Sequence, residues 1–183
     1  DFARFQQGLV VTVASGFYGV LEAKDVVDNE QRSYESLVVV LGDNIFERSQ
    51  SAAIAAWASG DDRAMIFVKD VPDPENFGVV VYEDGRVVDI VEKAGVVDKR
   101  YPAPPTNEAV VGLYCFPTDV FDVIERLEPS SRGELEITDV NRHYAQQGRL
   151  DVVRVEGWWE DAGKHWQHLA EIGRRVDETG ANG

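Results

Sequence analysis

Apolar residues recur at two different spacings along this chain, and the alternation between them predicts an α/β layered domain. Residues 16–27 carry helical spacing. Leu37-Val38-Val39-Val40-Leu41-Gly42 is a β-branched run of the kind that forms a buried parallel strand. Ser49 or Ser51 can cap a helix through Ala58, which Ser59-Gly60-Asp61-Asp62 ends, and residues 63–69 return to strand spacing. Phe77–Tyr82 and Arg86–Glu92 flank Glu83-Asp84-Gly85, a hairpin signature. Residues 94–106, rich in Pro and Gly, predict a loop, and Glu108–Phe116 a further strand. Helices are expected at 118–127 and 138–147, the second between Thr138 and Gly148, then a strand at 150–155 and a last helix near 164–175. Residues 1–176 form one expected domain, with 177–183 a flexible, frayed tail.

Charge changes this picture most. The 183 residues hold 33 Asp and Glu against 18 Lys and Arg, a net charge of −15. Lys is scarce, at positions 24, 69, 93, 99 and 164. Without surplus cations to neutralise phosphates, the chain is expected to bind neither nucleic acid nor an anionic membrane. The same acidity fits a protein of a high-salt cytoplasm, where salt screens self-repulsion. Cys115 is the single cysteine, which excludes an internal disulfide and a Cys-rich zinc site. No apolar run approaches a membrane span, and Asp1-Phe2-Ala3-Arg4-Phe5 lacks the layout of a signal peptide, so a cytoplasmic location is expected.

Several residues could carry chemistry. Gly42, Asp43 and Asn44 end a predicted buried strand, where ligands sit in open α/β sheets, and a carboxylate there can hold Mg²⁺ against a phosphate chain. Trp158-Trp159-Glu160-Asp161-Ala162-Gly163 sets a second acidic residue between a strand and a helix start. Capping of the following turn or helix is the ordinary alternative for both aspartates. Glu92-Lys93 closes the hairpin, and Arg132-Gly133-Glu134 precedes a helix; each offers a cation for phosphate and a carboxylate for hydroxyls, or simply a solvated ion pair. His165, His168 and Glu171 share one helix face and could bind a metal, although a solvated face is the commoner outcome. Trp158, Trp159 and Trp166 suit core or interface.

Taken in order, Leu41-Gly42-Asp43-Asn44, Asp73-Pro74-Glu75-Asn76-Phe77-Gly78-Val79-Val80, Glu92-Lys93, Ala109-Val110-Val111-Gly112-Leu113-Tyr114, Arg132-Gly133-Glu134-Leu135-Glu136-Ile137-Thr138-Asp139 and Trp159-Glu160-Asp161-Ala162-Gly163 resemble the glucose-1-phosphate thymidylyltransferases, a type of sugar-1-phosphate nucleotidyltransferase. The resemblance runs from about Leu37 to the final helix. It implies a three-layer α/β/α sandwich with a mixed sheet, the Rossmann-like fold of nucleotide-diphospho-sugar transferases. It also implies Mg²⁺-dependent nucleotidyl transfer from dTTP to glucose 1-phosphate, releasing pyrophosphate, for activated-sugar biosynthesis. Asp43 and Asp161 match the metal-holding aspartates, and Lys93 and Arg132 match sugar-phosphate binders with the catalytic role. Gly78, Glu92, Val110 and Glu134 match the sugar pocket. Members are commonly homo-oligomers, which extends to an expected homo-oligomer here.

The family opens with a first strand and a Gly-rich, Arg-bearing loop around the triphosphate, which residues 1–20 do not supply; the domain is expected to be partial and inactive alone. Ala14-Ser15-Gly16-Phe17-Tyr18-Gly19 lies where the family has its Pro-x-Gly-Leu-Ala stretch near the base. Glu-Lys-Ala stands for the family's Glu-Lys-Pro, and Asp-Ala-Gly for its Asp-Thr-Gly. Two alternatives stay open: uridylyl transfer from UTP to glucose 1-phosphate, and a catalytically silent sugar-phosphate-binding or regulatory domain.

Overall fold

The β-branched runs do form the centre of the molecule. The computed structural model describes residues 9–14, 36–60, 62–130, 133, 135–163 and 169–181. The expected helix at 16–27 lies outside them, as do Arg132, Glu134, His165, Trp166 and His168. In chain order the strands and helices are β1 (Leu9–Ala14), β2 (Ser36–Leu41), β3 (Asn44–Phe46), α1 (Ser51–Ala58) and β4 (Ala64–Asp70). A single 3₁₀ turn at Pro74–Asn76 leads to β5 (Gly78–Glu83) and β6 (Arg86–Glu92), followed by β7 (Glu108–Pro117) and α2 (Val120–Ile124). The chain continues through α3 (Ile137–Gln146), β8 (Leu150–Arg154), β9 (Trp159–Asp161) and α4 (Leu169–Thr179).

Five strands line up as β1-β2-β7-β4-β8, and the β5–β6 hairpin joins the same sheet through a pairing of β5 with β7. The sheet is mixed: β1 runs parallel to β2 and β8 to β4, while β7 is antiparallel to both β2 and β4. β7 sits at the centre with both faces covered, and all but one of its ten residues are buried. Leu37, Val39, Ile66, Tyr114 and Phe116 pack on one face against α2 and α3, through Val120, Phe121, Val140 and the fully buried Tyr144. Val38, Met65, Phe67, Val111 and Cys115 pack on the other face with Ile54 of α1. Alternation along each strand thus feeds two apolar layers, and the three-layer sandwich is the observed architecture. Burial pushes the Cys115 thiol pKa up, which suits a packing residue rather than a reactive one.

Sequence reading missed β1. Its Leu9-Val10-Val11-Thr12-Val13-Ala14 run is β-branched enough to predict a strand, and it pairs in register with β2 from Leu9↔Ser36 to Ala14↔Leu41. Helix ends shift modestly: the segment expected to be helical at 118–127 is so only over Val120–Ile124, and Asp177, Glu178 and Thr179, expected in the tail, complete α4. No helix among the described residues is long and apolar enough to cross a membrane.

Candidate active site

The carboxyl end of β2 turns sharply at Gly42 and Asp43 into β3, which pairs antiparallel with β9 so that Asn44 faces Asp161. This short ribbon brings Asp43 and Asp161 together. A Cβ built on Gly163 would lie 2.6 Å from Asp43 Oδ2 and 3.2 Å from Asp161 Oδ1, so the two carboxylates flank one point that the absent side chain leaves open. Local hydrogen bonds fix them: Ala162 N donates to the Asp43 carbonyl at 2.7 Å, and Gly163 N to Asp161 Oδ1 at 2.9 Å.

Asn44 ties this centre to the sheet. Its Oδ1 accepts from Gly112 N at 2.8 Å and from Trp159 Nε1 at 2.7 Å, while its Nδ2 donates to Asp43 Oδ1 at 2.9 Å. Gly112 makes the approach feasible, because a Cβ there would come within 2.5 Å of Asn44 Nδ2 and 2.8 Å of Leu41 Cβ. Among the described residues, no group of three or more His, Cys, Asp or Glu is arranged to hold a metal. Two oxygen-donor carboxylates nonetheless fit Mg²⁺, which keeps several waters and takes its remaining ligands from substrate phosphates.

A second group of residues lies across β6, β5 and β7. Gly78 pairs with Glu92, and the adjacent Val79 pairs with Ala109, so Gly78 sits between Glu92 on one side and Val110 on the other. A Cβ on Gly78 would be 3.2 Å from both Glu92 Oε2 and Thr138 Oγ1, so glycine keeps this floor low. Thr138 Oγ1 donates to Glu92 Oε2 at 2.6 Å, whereas Lys93 Nζ is 3.8 Å from Glu92 Oε1. A hydrogen bond to a charged group contributes about 1.5–3 kcal/mol, and a part-exposed ion pair at that distance about 0–1 kcal/mol. The Thr138 hydroxyl therefore holds the Glu92 carboxylate more firmly than the Lys93 ammonium does. Lys93 holds a φ of 42°, in the left-handed region, secured by its N–H bond to the Phe77 carbonyl at 3.0 Å.

Tyr114 connects the two groups. Burial raises its pKa, and the charges of the Glu92 and Asp43 carboxylates raise it further, so the buried ring feels both acidic groups. Beside Glu92 a cavity of about 330 Å³ opens, with Asp98, Arg100, Glu136, Asp139 and Arg142 in its lining.

A model of the Nucleotidyl transferase family matches residues 16–178. The chain belongs to this family. Over 144 residues it is 41% identical to the low-salt glycan biosynthesis nucleotidyltransferase Agl11 of Haloferax volcanii, which covers 78% of this chain and 37% of that protein. It is 36% identical over 144 residues to a glucose-1-phosphate thymidylyltransferase of Neisseria meningitidis, covering 76% of this chain and 48% of the relative. A Bacillus anthracis crystal structure assigned as a glucose-1-phosphate thymidylyltransferase, in complex with a sucrose, superposes with a TM-score of 0.71 at 33% identity, over 89% of this chain and 62% of that one. UDP-glucose pyrophosphorylase shares the fold, with a TM-score of 0.68 at 20% identity, over 90% of this chain and 63% of that one. The chain spans less than half the length of the two curated relatives.

Of the residues singled out from sequence, the structure brings Asp43 and Asp161 together, and sets Gly78, Glu92, Lys93 and Val110 side by side. Arg132 and Glu134 lie outside the described residues. Sequence reading passed over Thr138, taken only as a helix start, and gave Asn44, Gly112 and Gly163 no role. Their signal is tertiary, since each acts on a partner distant in sequence.

Proposed function

We propose that this chain contributes the metal-holding and sugar-phosphate-binding parts of a glucose-1-phosphate thymidylyltransferase. The reaction joins dTTP and glucose 1-phosphate into dTDP-glucose and pyrophosphate, within activated-sugar synthesis for glycans. The observation that carries this reading is the convergence of Asp43 and Asp161 on either side of Gly163. Both carboxylates would hold Mg²⁺, which supplies charge neutralisation for the transferred phosphoryl group and the departing pyrophosphate.

The remaining work falls to the chain's own residues. Glu92, oriented by Thr138, accepts sugar hydroxyls, and the Gly78 and Val110 backbones line the sugar on either side. Lys93 and Arg132 draw in the sugar phosphate, and Glu134 adds a second acceptor for hydroxyls. An oxygen of that phosphate attacks the α-phosphorus in line, and the bond to the β-phosphate oxygen breaks. The nucleophile is ionised at neutral pH, so no protein base is required, and positioning accounts for the rate. The 41% identity to a glycan nucleotidyltransferase supports the class of product. The 36% identity to a thymidylyltransferase supports dTTP over UTP.

Calorimetric titration of glucose 1-phosphate, dTTP and UTP, each with Mg²⁺ and in both low and molar KCl, tests the proposal. Glucose 1-phosphate binding that is lost in Lys93→Ala supports it, and preference for dTTP over UTP supports the base assignment. A folded protein that binds no sugar phosphate in either salt overturns it.

A further inference from the structure

We infer that Arg142 is a positioning residue for the Glu92–Lys93 pair, an inference that rests on the proposed sugar-phosphate role of that pair. Arg142 lies on α3, one turn after Thr138. Its contacts converge on the end of β6 and on the turn that follows Lys93. Nε donates to Asp89 Oδ1 at 2.8 Å, and Nη2 donates to the Ile90 carbonyl at 2.8 Å and to Asp98 Oδ2 at 3.2 Å. Nη1 pairs with Asp139 on the same helix.

Asp98 is the link to the site. Its backbone N–H donates to the Glu92 carbonyl at 3.0 Å, and its carbonyl accepts from Gly95 N at 3.0 Å. Val96 N and Val97 N both donate to the Lys93 carbonyl, at 2.9 and 3.0 Å. The turn from Lys93 to Asp98 is thus a closed hydrogen-bonded knot, and Lys93 sits in it with a positive φ that a β-carbon disfavours. Arg142 and Arg100 pin the knot from outside: Arg100 Nη2 reaches Asp98 Oδ2 at 2.6 Å, and Nη1 reaches Asp89 Oδ2 at 2.9 Å.

One helix therefore delivers two devices to the same place. Thr138 sets the Glu92 side chain, and Arg142 sets the backbone on both sides of Glu92 and Lys93, through Ile90 and Asp98. The planar fork matters, because one guanidinium spans β6 and the turn, which a lysine ammonium cannot do with fixed geometry.

The test compares wild type with Arg142→Gln, Arg142→Lys and a control, Arg149→Gln. Arg149 holds a comparable pair of carboxylates, Asp62 and Asp119, away from this turn. Glucose 1-phosphate affinity is read by calorimetry, and exchange protection of the Asp98 amide by hydrogen–deuterium exchange. In both Arg142 variants affinity is expected to fall about tenfold or more, with faster exchange at Asp98, while Mg²⁺ affinity stays unchanged. Arg149→Gln is expected to lower the melting temperature without weakening sugar-phosphate binding. Folded Arg142→Lys with wild-type affinity and wild-type Asp98 protection overturns the inference alone. Wild-type protein that binds no glucose 1-phosphate overturns the proposed function and this inference with it.

Discussion

Thr138 Oγ1 and Glu92 Oε2, 2.6 Å apart, join the first turn of α3 to the end of β6. The hydroxyl is buried and the carboxylate side chain is mostly so, which strengthens their bond relative to one in water. Thr138→Val keeps the shape and removes the donor. The expected result is weaker glucose 1-phosphate binding by about tenfold or more, since tenfold is roughly 1.4 kcal/mol and a hydrogen bond to a charged group contributes about 1.5–3 kcal/mol. Calorimetry on the folded variant checks it, and Thr138→Ser is expected to recover most of the affinity.

Gly163→Ala is expected to affect the proposed metal pair. The new methyl would occupy the gap between Asp43 and Asp161, 2.6 Å from the nearer oxygen. Gly163 is exposed, so the fold tolerates the change while the carboxylates move apart. Mn²⁺ binding followed by electron paramagnetic resonance is expected to weaken at least tenfold, in the range of about 10–100-fold typical of altered metal surroundings. Unchanged Mn²⁺ affinity would separate these two aspartates from metal binding.

Gly112→Ala acts on the same centre from the sheet side. Its Cβ would strike the Asn44 side chain and Leu41 Cβ, so Asn44 would have to give up its bond to Gly112 N or the end of β2 would have to shift. A stability loss of about 1–3 kcal/mol is expected from urea denaturation, as for other overpacked sites. Loss of the Asn44 bond to Gly112 N should also lower Mn²⁺ affinity.

Asp98 gives a signed pH effect. Burial opposes its ionisation, but the hydrogen bonds and charge of Arg100, with Arg142 beyond, hold its pKa below the ordinary 3.8. A carboxyl depressed in the folded state contributes stability above its unfolded pKa and loses it as pH falls through the folded one. Asp98→Asn is therefore expected to destabilise the protein at neutral pH and to flatten the loss of stability below about pH 4. A melting-temperature series from pH 2 to 7 checks both slopes.

The net charge of −15 predicts a salt-dependent fold. The screening length falls from about 10 Å at 0.1 M salt to about 3 Å at 1 M, which removes most repulsion between exposed carboxylates. The melting temperature is expected to rise by several degrees between these concentrations, about 2–4 °C for each kcal/mol gained. A melting temperature that does not change with KCl would mean that the acidity serves solubility alone.

Much of the fold was legible because the strands carry unambiguous β-branched runs. Leu37–Gly42 and Glu108–Phe116 lie within a residue of their observed bounds, and the Glu83-Asp84-Gly85 turn closes the hairpin with positive φ at Asp84 and Gly85. Asp43 and Asp161 were legible as carboxylates at strand ends and through the family resemblance. Their common partner, Gly163, was not, because what matters about it is a missing atom in three dimensions. Thr138 is similar: its position suits a helix start, and only the packing of α3 on β6 aims its hydroxyl at Glu92. Arg142 carried no signal of its own, since nothing local indicates that its guanidinium reaches Asp89 and Asp98.

The β3–β9 ribbon has a consequence for how the proposed metal centre forms. Asn44 and Trp159 bond across 115 residues, and the three-residue strands beside them carry little pairing of their own. Such a contact is expected to close after the central sheet has formed, because loop closure over that distance costs entropy that local contacts cannot return. The centre is then a late-forming checkpoint on the fold. A chain in which β7 or β4 is misregistered would fail to bring Asp43 and Asp161 together for the proposed divalent ion, even with every acidic side chain intact.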